Sequence, residues 1–270
     1  MSGEAQEPRR GRLPGGLTLR AMVPNAITAA ALCFGLTGIR FAIVGEWDKA
    51  LFAIILAGVL DGIDGRIARL LKAQSRFGAE LDSLADNVSF GVAPALVLFM
   101  WSLKDVPRLG WFAALAFAVC MALRLARYNA RIDMADEPRK AAGFLTGVPA
   151  PVGAGLAFLP MYLWIQTGEE LFRDPGIVAG WLVLIAFLAI SSVPTLSWAK
   201  LRPRRSVRLE VIALFGLIGA ALLTEPWWTL VGICAVYLAL VPVGIAAYAR
   251  FRRQRAAAEL SAPGDGPAVP

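Results

Sequence analysis

The chain has 270 residues, 57% of them hydrophobic and only 17% charged, with a positive mean hydropathy. That balance excludes an ordinary soluble domain and points to a membrane protein with several spans. The net charge of +7 does not mark a nucleic-acid binder, because the cations fall in alternate loops and leave no separate basic patch.

Taking Pro, Gly and charge clusters as breaks, the sequence predicts eight spans in chain order: 24–44, 50–72, 79–102, 110–130, 147–165, 176–197, 209–224 and 227–249. The first 20 residues are Arg-rich and contain no apolar core, so the first span is read as retained in the membrane. Of the 27 Lys and Arg residues, all but five lie before span one, in or beside the second, fourth and sixth connections, or after span eight. The exceptions are Arg40, Lys49, Lys104, Arg108 and Arg173. The cation-rich side faces the cytoplasm by the positive-inside rule, which places both termini there. Trp47, Trp101, Trp111, Trp227 and Trp228 fall at the opposite ends, where an indole favours the interface. The division is 1–20 cytoplasmic, 21–200 a six-helix membrane domain, 201–250 two additional helices for packing or dimerisation, and 251–270 a disordered cytoplasmic tail.

Cys33, Cys120 and Cys234 are far apart within apolar stretches and read as packing residues. There is no histidine, so a metal here is held by oxygen. Acidic residues are nearly absent from the spans except for Asp61, Asp64, Asp82 and Asp86. Four unpaired carboxylates in a bilayer would cost on the order of 10 kcal/mol. Asp61 and Asp64 stand at i and i+3, and Asp82 and Asp86 at i and i+4, so each pair shares a helix face. Counted outward from the turn near Ser75, the two pairs lie at similar depth and face one another. They form a hard oxygen site suited to Mg²⁺, Mn²⁺ or Ca²⁺, with room for two ions and phosphoryl-transfer chemistry. Gly62, Gly65, Ala68 and Gly78 clear side-chain bulk so that a flat ring or diphosphate can approach, and Arg69 can hold phosphate oxygens. Two other readings of the acids are pairing with Arg66, Arg69 and Arg76 as helix glue, and a cation pathway in a transporter.

The run Asp61-x-x-Asp64-Gly65-x-x-Ala68-Arg69, eight residues, Gly78-x-x-x-Asp82-x-x-x-Asp86 resembles the full signature of the CDP-alcohol phosphatidyltransferases. The resemblance implies an all-α membrane protein, a polytopic bundle with a six-helix core and a site open to the cytoplasm. It also implies two divalent ions, Mn²⁺ or Mg²⁺, a CDP-linked lipid donor and release of CMP. By position, Asp61, Asp64, Asp82 and Asp86 would be metal ligands and Asp86 the general base, while Asp64, Gly65, Ala68, Arg69 and Gly78 would bind CDP.

Further stretches are similar to the phosphatidylserine synthase branch: Leu81 to Pro94, Leu123 to Asn129, Phe144 to Pro151 and the short Pro24-Asn-Ala-Ile-Thr28. Gly147-Val148-Pro149 stands where that branch commonly has Gly-Leu-Pro. This likeness implies CDP-diacylglycerol and L-serine as substrates in the cell inner membrane, and a homodimer. Arg124, Arg127 and Asn25 are candidates for binding serine or the lipid phosphate, the two arginines being alternatively flank charges of the topology. Glycerol phosphate or inositol phosphate as acceptor would require a further anion pocket, and choline an aromatic cage.

Overall fold

A computed structural model describes residues 19–132, 144–191, 194–196 and 208–261. Helix α1 (Leu19–Ile43) and α2 (Trp47–Leu70) form an antiparallel pair. Helix α3 (Arg76–Asp86) runs through a π-helical turn (Asn87–Val92) into α4 (Ala93–Trp101), and α5 (Pro107–Ile132) follows. Next come α6 (Ala150–Ala157), α7 (Leu159–Thr167), α8 (Pro175–Ile190), α9 (Arg208–Thr224) and α10 (Pro226–Ser261). Each predicted span is helical. Four helices, Met22–Ile43, Arg76–Trp101, Pro107–Ala130 and Pro226–Arg250, are long and apolar enough to cross a membrane. Helix α2 has the length too, but carries the charges of the site. The protein is an all-α membrane protein.

The departures from the predicted spans trace mainly to proline. Pro94 has no N–H to give the carbonyl four residues back, and the third span absorbs this as a π turn in which the Ala93 N–H reaches the Val88 carbonyl. The fifth span is broken at Phe158 because Pro160 follows at the start of α7. The sixth was expected to reach residue 197 but ends at Ile190; Ser191 is extended, and Pro194 opens a short strand. That strand, β2 (Pro194–Leu196), pairs antiparallel with β1 (Phe144–Thr146), Phe144 opposite Leu196. The last helix continues to Ser261, past the expected end at 249 and into the segment expected to be disordered, because Arg, Gln, Ala, Glu and Leu there are strong helix formers. The segments 1–18 and 262–270 lie outside the described residues, as do Arg139, Lys140 and the cations from Lys200 to Arg205.

Small residues set the closest helix contact. A Cβ on Gly38 would lie 2.7 Å from Ile54 Cγ1 and 3.1 Å from the Ala50 carbonyl oxygen, and Ala42, Ala50, Ala53 and Ala57 are buried along the same seam. Close backbone approach through small residues is how membrane helices gain packing without a hydrophobic driving force between them. Leu51, Ile54, Val97, Leu98, Phe117 and Leu182 fill the centre. At the end away from the aspartates, Ser102 Oγ donates to the Arg173 carbonyl (2.7 Å) and Arg173 Nε donates to the Trp101 carbonyl (3.2 Å). Two of the tryptophans expected at the interface are packed inside instead: Trp101 is fully buried, edge-on to Trp164, and Trp227 stacks on Tyr162. Trp111 and Trp228 are half exposed.

Replacing Gly38 with Leu is expected to force α1 and α2 apart at a cost of about 1–3 kcal/mol, read as a lower melting temperature in detergent. Gly216→Leu on α9, where an added Cβ meets nothing within 4 Å, should leave the melt nearly unchanged.

Candidate active site

The site is built where α2 ends and α3 begins. Leu71 and Lys72 close α2, Lys72 with a left-handed φ of 51°, and the chain turns back within a few residues. Ser75 caps α3, its Oγ accepting from the Gly78 N–H at 3.0 Å. This tight return sets the two aspartate pairs opposite one another. One carboxylate oxygen from each of Asp61, Asp64 and Asp82 lies within 4.8 Å of the others. Asp86, one turn beyond Asp82, is within hydrogen-bonding reach of Asp61.

Oxygens on opposite sides of a divalent ion, each about 2.0–2.6 Å from it, stand about 4–5 Å apart, so this spacing fits a shared cation. The charge balance fits as well. Among the described residues no Lys or Arg comes within 4 Å of any of the four carboxylates; the one ion pair at that distance is Lys49–Glu46, at the other end of the molecule. The helix-glue reading therefore lacks its partners: Arg66 and Arg69 are exposed, and Arg69 Nε donates to the Gly65 carbonyl at 3.0 Å. The cation-pathway reading lacks its path, since Leu51, Ile54, Val97, Leu98 and Trp101 fill the bundle beyond Asp61.

Two cavities meet at Asp82. The first, about 200 Å³, is walled by Pro24, Asn25 and Thr28 of α1, Asp64, Gly65 and Ala68 of α2, and Ser75, Gly78, Ala79 and Asp82 of α3 and its cap. Gly78 is required there by contact, because a Cβ would sit 2.8 Å from Asn25 Oδ1 and 3.1 Å from Ser75 Oγ. A Cβ on Gly65 would meet nothing within 4 Å, so that position keeps the cavity open. The N-terminus of α3 opens on this space, a favourable setting for phosphate oxygens. Arg69 lies outside the residues that wall it.

The second cavity, about 520 Å³, lies on the other face of α3, between Asp82, Ser83 and Asp86, Arg124, Tyr128 and Asn129 of α5, and Pro149 to Pro151 at the start of α6. Arg124 is within electrostatic reach of Asp86, and its Nε is buried without a hydrogen-bond partner. Asn129 Nδ2 donates to Ser83 Oγ at 2.8 Å, tying α5 to α3 across the cavity wall.

The structure thus separates residues that the sequence grouped. Asn25 lies with Gly65, Ala68 and Gly78, away from Arg124. Arg127 points to α8, where its guanidinium donates to the Ser191 carbonyl at 3.3 Å, and it walls neither cavity. Other polar residues at the site were not singled out from the sequence. Thr28 is buried and donates from Oγ1 to Asp64 Oδ2, with the Pro24 carbonyl 3.1 Å away. Ser83, Tyr128 and Asn129 wall the second cavity. Thr28 and Asn129 each close a stretch already noted for its likeness, whereas Ser83 follows Asp82 and a one-turn search around the aspartates would have reached it.

The comparisons agree with this geometry. The family model described as CDP-alcohol phosphatidyltransferase matches residues 21–193, and the model CDP-alcohol phosphatidyltransferase 2 matches residues 207–242, a range that takes in α9 and the first part of α10. The chain is similar to the CDP-diacylglycerol–serine O-phosphatidyltransferase of Mycobacterium tuberculosis, 38% identical over 83% of this chain and 78% of that protein. It is also similar to the proteins of the same name from Helicobacter pylori, 30% identical over 73% of this chain and 81% of the relative, and Saccharomyces cerevisiae, 37% identical over 55% and 57%. With the signature aspartates gathered on two facing helices and the match running from α1 through α8, the chain belongs to the CDP-alcohol phosphatidyltransferase family.

Proposed function

We propose that this enzyme transfers the phosphatidyl group of CDP-diacylglycerol to the hydroxyl of L-serine, giving phosphatidylserine and CMP. The observation that carries the reading is the pair of cavities meeting at Asp82, one walled by the glycines and Asn25, the other by Asp86 and the unpartnered Nε of Arg124. The names of the relatives at 38% and 30% identity supply the acceptor. Two divalent ions, Mn²⁺ or Mg²⁺, a homodimer, and placement in the cell inner membrane with the site on the cytoplasmic side belong to the same proposal. Arg20, Arg66, Arg69, Lys72, Arg76, Arg124 and Arg127 all gather at the site's end of the bundle, which supports that orientation.

Asp61, Asp64, Asp82 and Asp86 would hold the ions, whose chemistry is to neutralise the diphosphate and the departing CMP. The first cavity holds the cytidine diphosphate between Asn25, Gly65, Ala68 and Gly78, with the α3 N-terminus toward phosphate oxygens. In the second, Arg124 binds the serine carboxylate and so turns the serine hydroxyl toward Asp86. The hydroxyl oxygen attacks the phosphorus that carries the diacylglycerol, and Asp86 takes its proton. The bond from that phosphorus to the bridging oxygen breaks, and the electron pair leaves with CMP. Thr28 fixes one oxygen of Asp64, leaving the other free for a metal.

CMP release from CDP-diacylglycerol by the detergent-purified protein, with one alcohol at a time, tests the reading: serine-dependent release lost with EDTA and restored by Mn²⁺ is expected. Release with another alcohol alone would change the acceptor. Asp82→Asn is expected to lower turnover about thousandfold or more, about 4 kcal/mol, while membrane insertion is retained; full activity would overturn the metal assignment. Arg124→Ala should raise the serine KM about tenfold or more, as for loss of a charged hydrogen bond, with the donor KM nearly unchanged. The opposite split would move Arg124 to the lipid phosphate. Thr28→Val should raise the Mn²⁺ requirement about tenfold, and Thr28→Ser should restore it.

A further inference from the structure

Beside the acceptor cavity lies a third space, about 430 Å³, that the reaction as described does not use. Its walls come from α2 (Ile54, Ile55, Gly58), from Phe90 in the π turn, from α6, and from α10 (Leu230, Ile233, Cys234). The lining is almost wholly apolar, and the volume falls in the range of ligand sites, about 300–1,000 Å³. Pro149 and Pro151 wall both this space and the acceptor cavity, so the two adjoin. Along α2, Gly58 precedes Asp61 by one turn and Ile54 by two, which sets the space within about 10 Å of the carboxylates on the side away from the α2–α3 turn.

We propose that this space holds one acyl chain of the lipid donor, and that forming its far wall is what the C-terminal helix α10 contributes. The inference rests on the reading of CDP-diacylglycerol as donor. A diacyl lipid whose phosphate sits at Asp82 and Asp86 must send its chains away from the charged end. The passage beside Pro149 and Pro151 offers one chain an apolar route. Helix α10 is fastened at the right place: Cys234 Sγ lies 3.7 Å from the Gly155 carbonyl as its hydrogen-bond donor, and Phe52 and Tyr162 pack on Trp227 at the start of the helix. Gly155 is the residue on α6 that keeps the space open, since an added Cβ there meets nothing within 4 Å.

The test fills the space from two walls, Gly155→Leu from α6 and Ile233→Trp from α10, and compares a dihexanoyl with a dioleoyl CDP-diacylglycerol as donor. Each variant should raise the KM of the long-chain donor about tenfold, as expected for overpacking a fitted site. The short-chain donor should stay within about twofold of the unmodified enzyme, which also reports that the variant is folded. Equal loss with both donors, or loss with neither, would overturn the proposal. A second readout does not depend on turnover: a phosphatidic acid carrying a diazirine near its chain end should label the 230–237 segment in the unmodified protein and not in Gly155→Leu. Equal labelling in both would overturn the acyl-chain assignment. Labelling that the filler blocks, in a protein that releases no CMP with any alcohol, would uphold the acyl-chain site and overturn the transferase reading.

Discussion

Negative charge held inside an apolar bundle is the constraint on which the rest of the structure depends. Four carboxylates converge on two facing helices with no Lys or Arg in ion-pairing range among the described residues. In hydrocarbon such a cluster is tenable when a cation is shared among its members or when protons replace it. The short return between α2 and α3, the Ser75 cap and the Thr28 hydroxyl all serve to hold that cluster in one arrangement. The pairing of α1 with α2 through Gly38 and its alanine neighbours belongs to the same scheme, because it carries Asn25 and Thr28 to the edge of the carboxylates. Packing and chemistry are therefore not separable along α1.

Much of this was legible in the order of residues. Intramembrane acids are costly enough that their spacing of three and four is informative by itself, and the depth of each pair could be counted from the turn. Apolar length and the cations between segments also marked the four helices that are long and apolar enough to cross a membrane. What the sequence did not reveal was the division of the site into two faces. Asn25 and Arg124 are both polar residues near the cation-rich ends of spans, and nothing in their neighbours distinguishes a residue opposite Gly78 from one opposite Asp86. Arg127 is a similar case, since a guanidinium three residues from Arg124 turns to a backbone carbonyl on another helix, and that partner is 64 positions away.

Helix boundaries were misjudged for a more local reason. Apolar content marks where a segment can be buried but is silent on the backbone hydrogen bonds within it. Pro94, Pro160 and Pro194 each remove a donor, and the chain answers in three ways: a π turn, a break between two short helices, and a change to a strand. The choice among these depends on what lies alongside. Phe90 and Ser89 in the π turn are buried against neighbouring helices, which favours a continuous helix there over a break.

The π turn has a consequence for how the third span can change. Because it accommodates about one residue more than the α-helix it replaces, the segments on either side are out of phase by about 100°. Asp82 and Asp86 are aimed by the first segment, whereas Ala93, Val97 and Trp101 meet the core by the phase of the second. Deleting one residue between Asn87 and Val92 would return the span to regular helix and relieve the turn, yet it would leave the two halves unable to satisfy the carboxylate cluster and the core together. The span therefore behaves as two sequence registers in one rod, and length changes within it are penalised even where every residue affected is apolar.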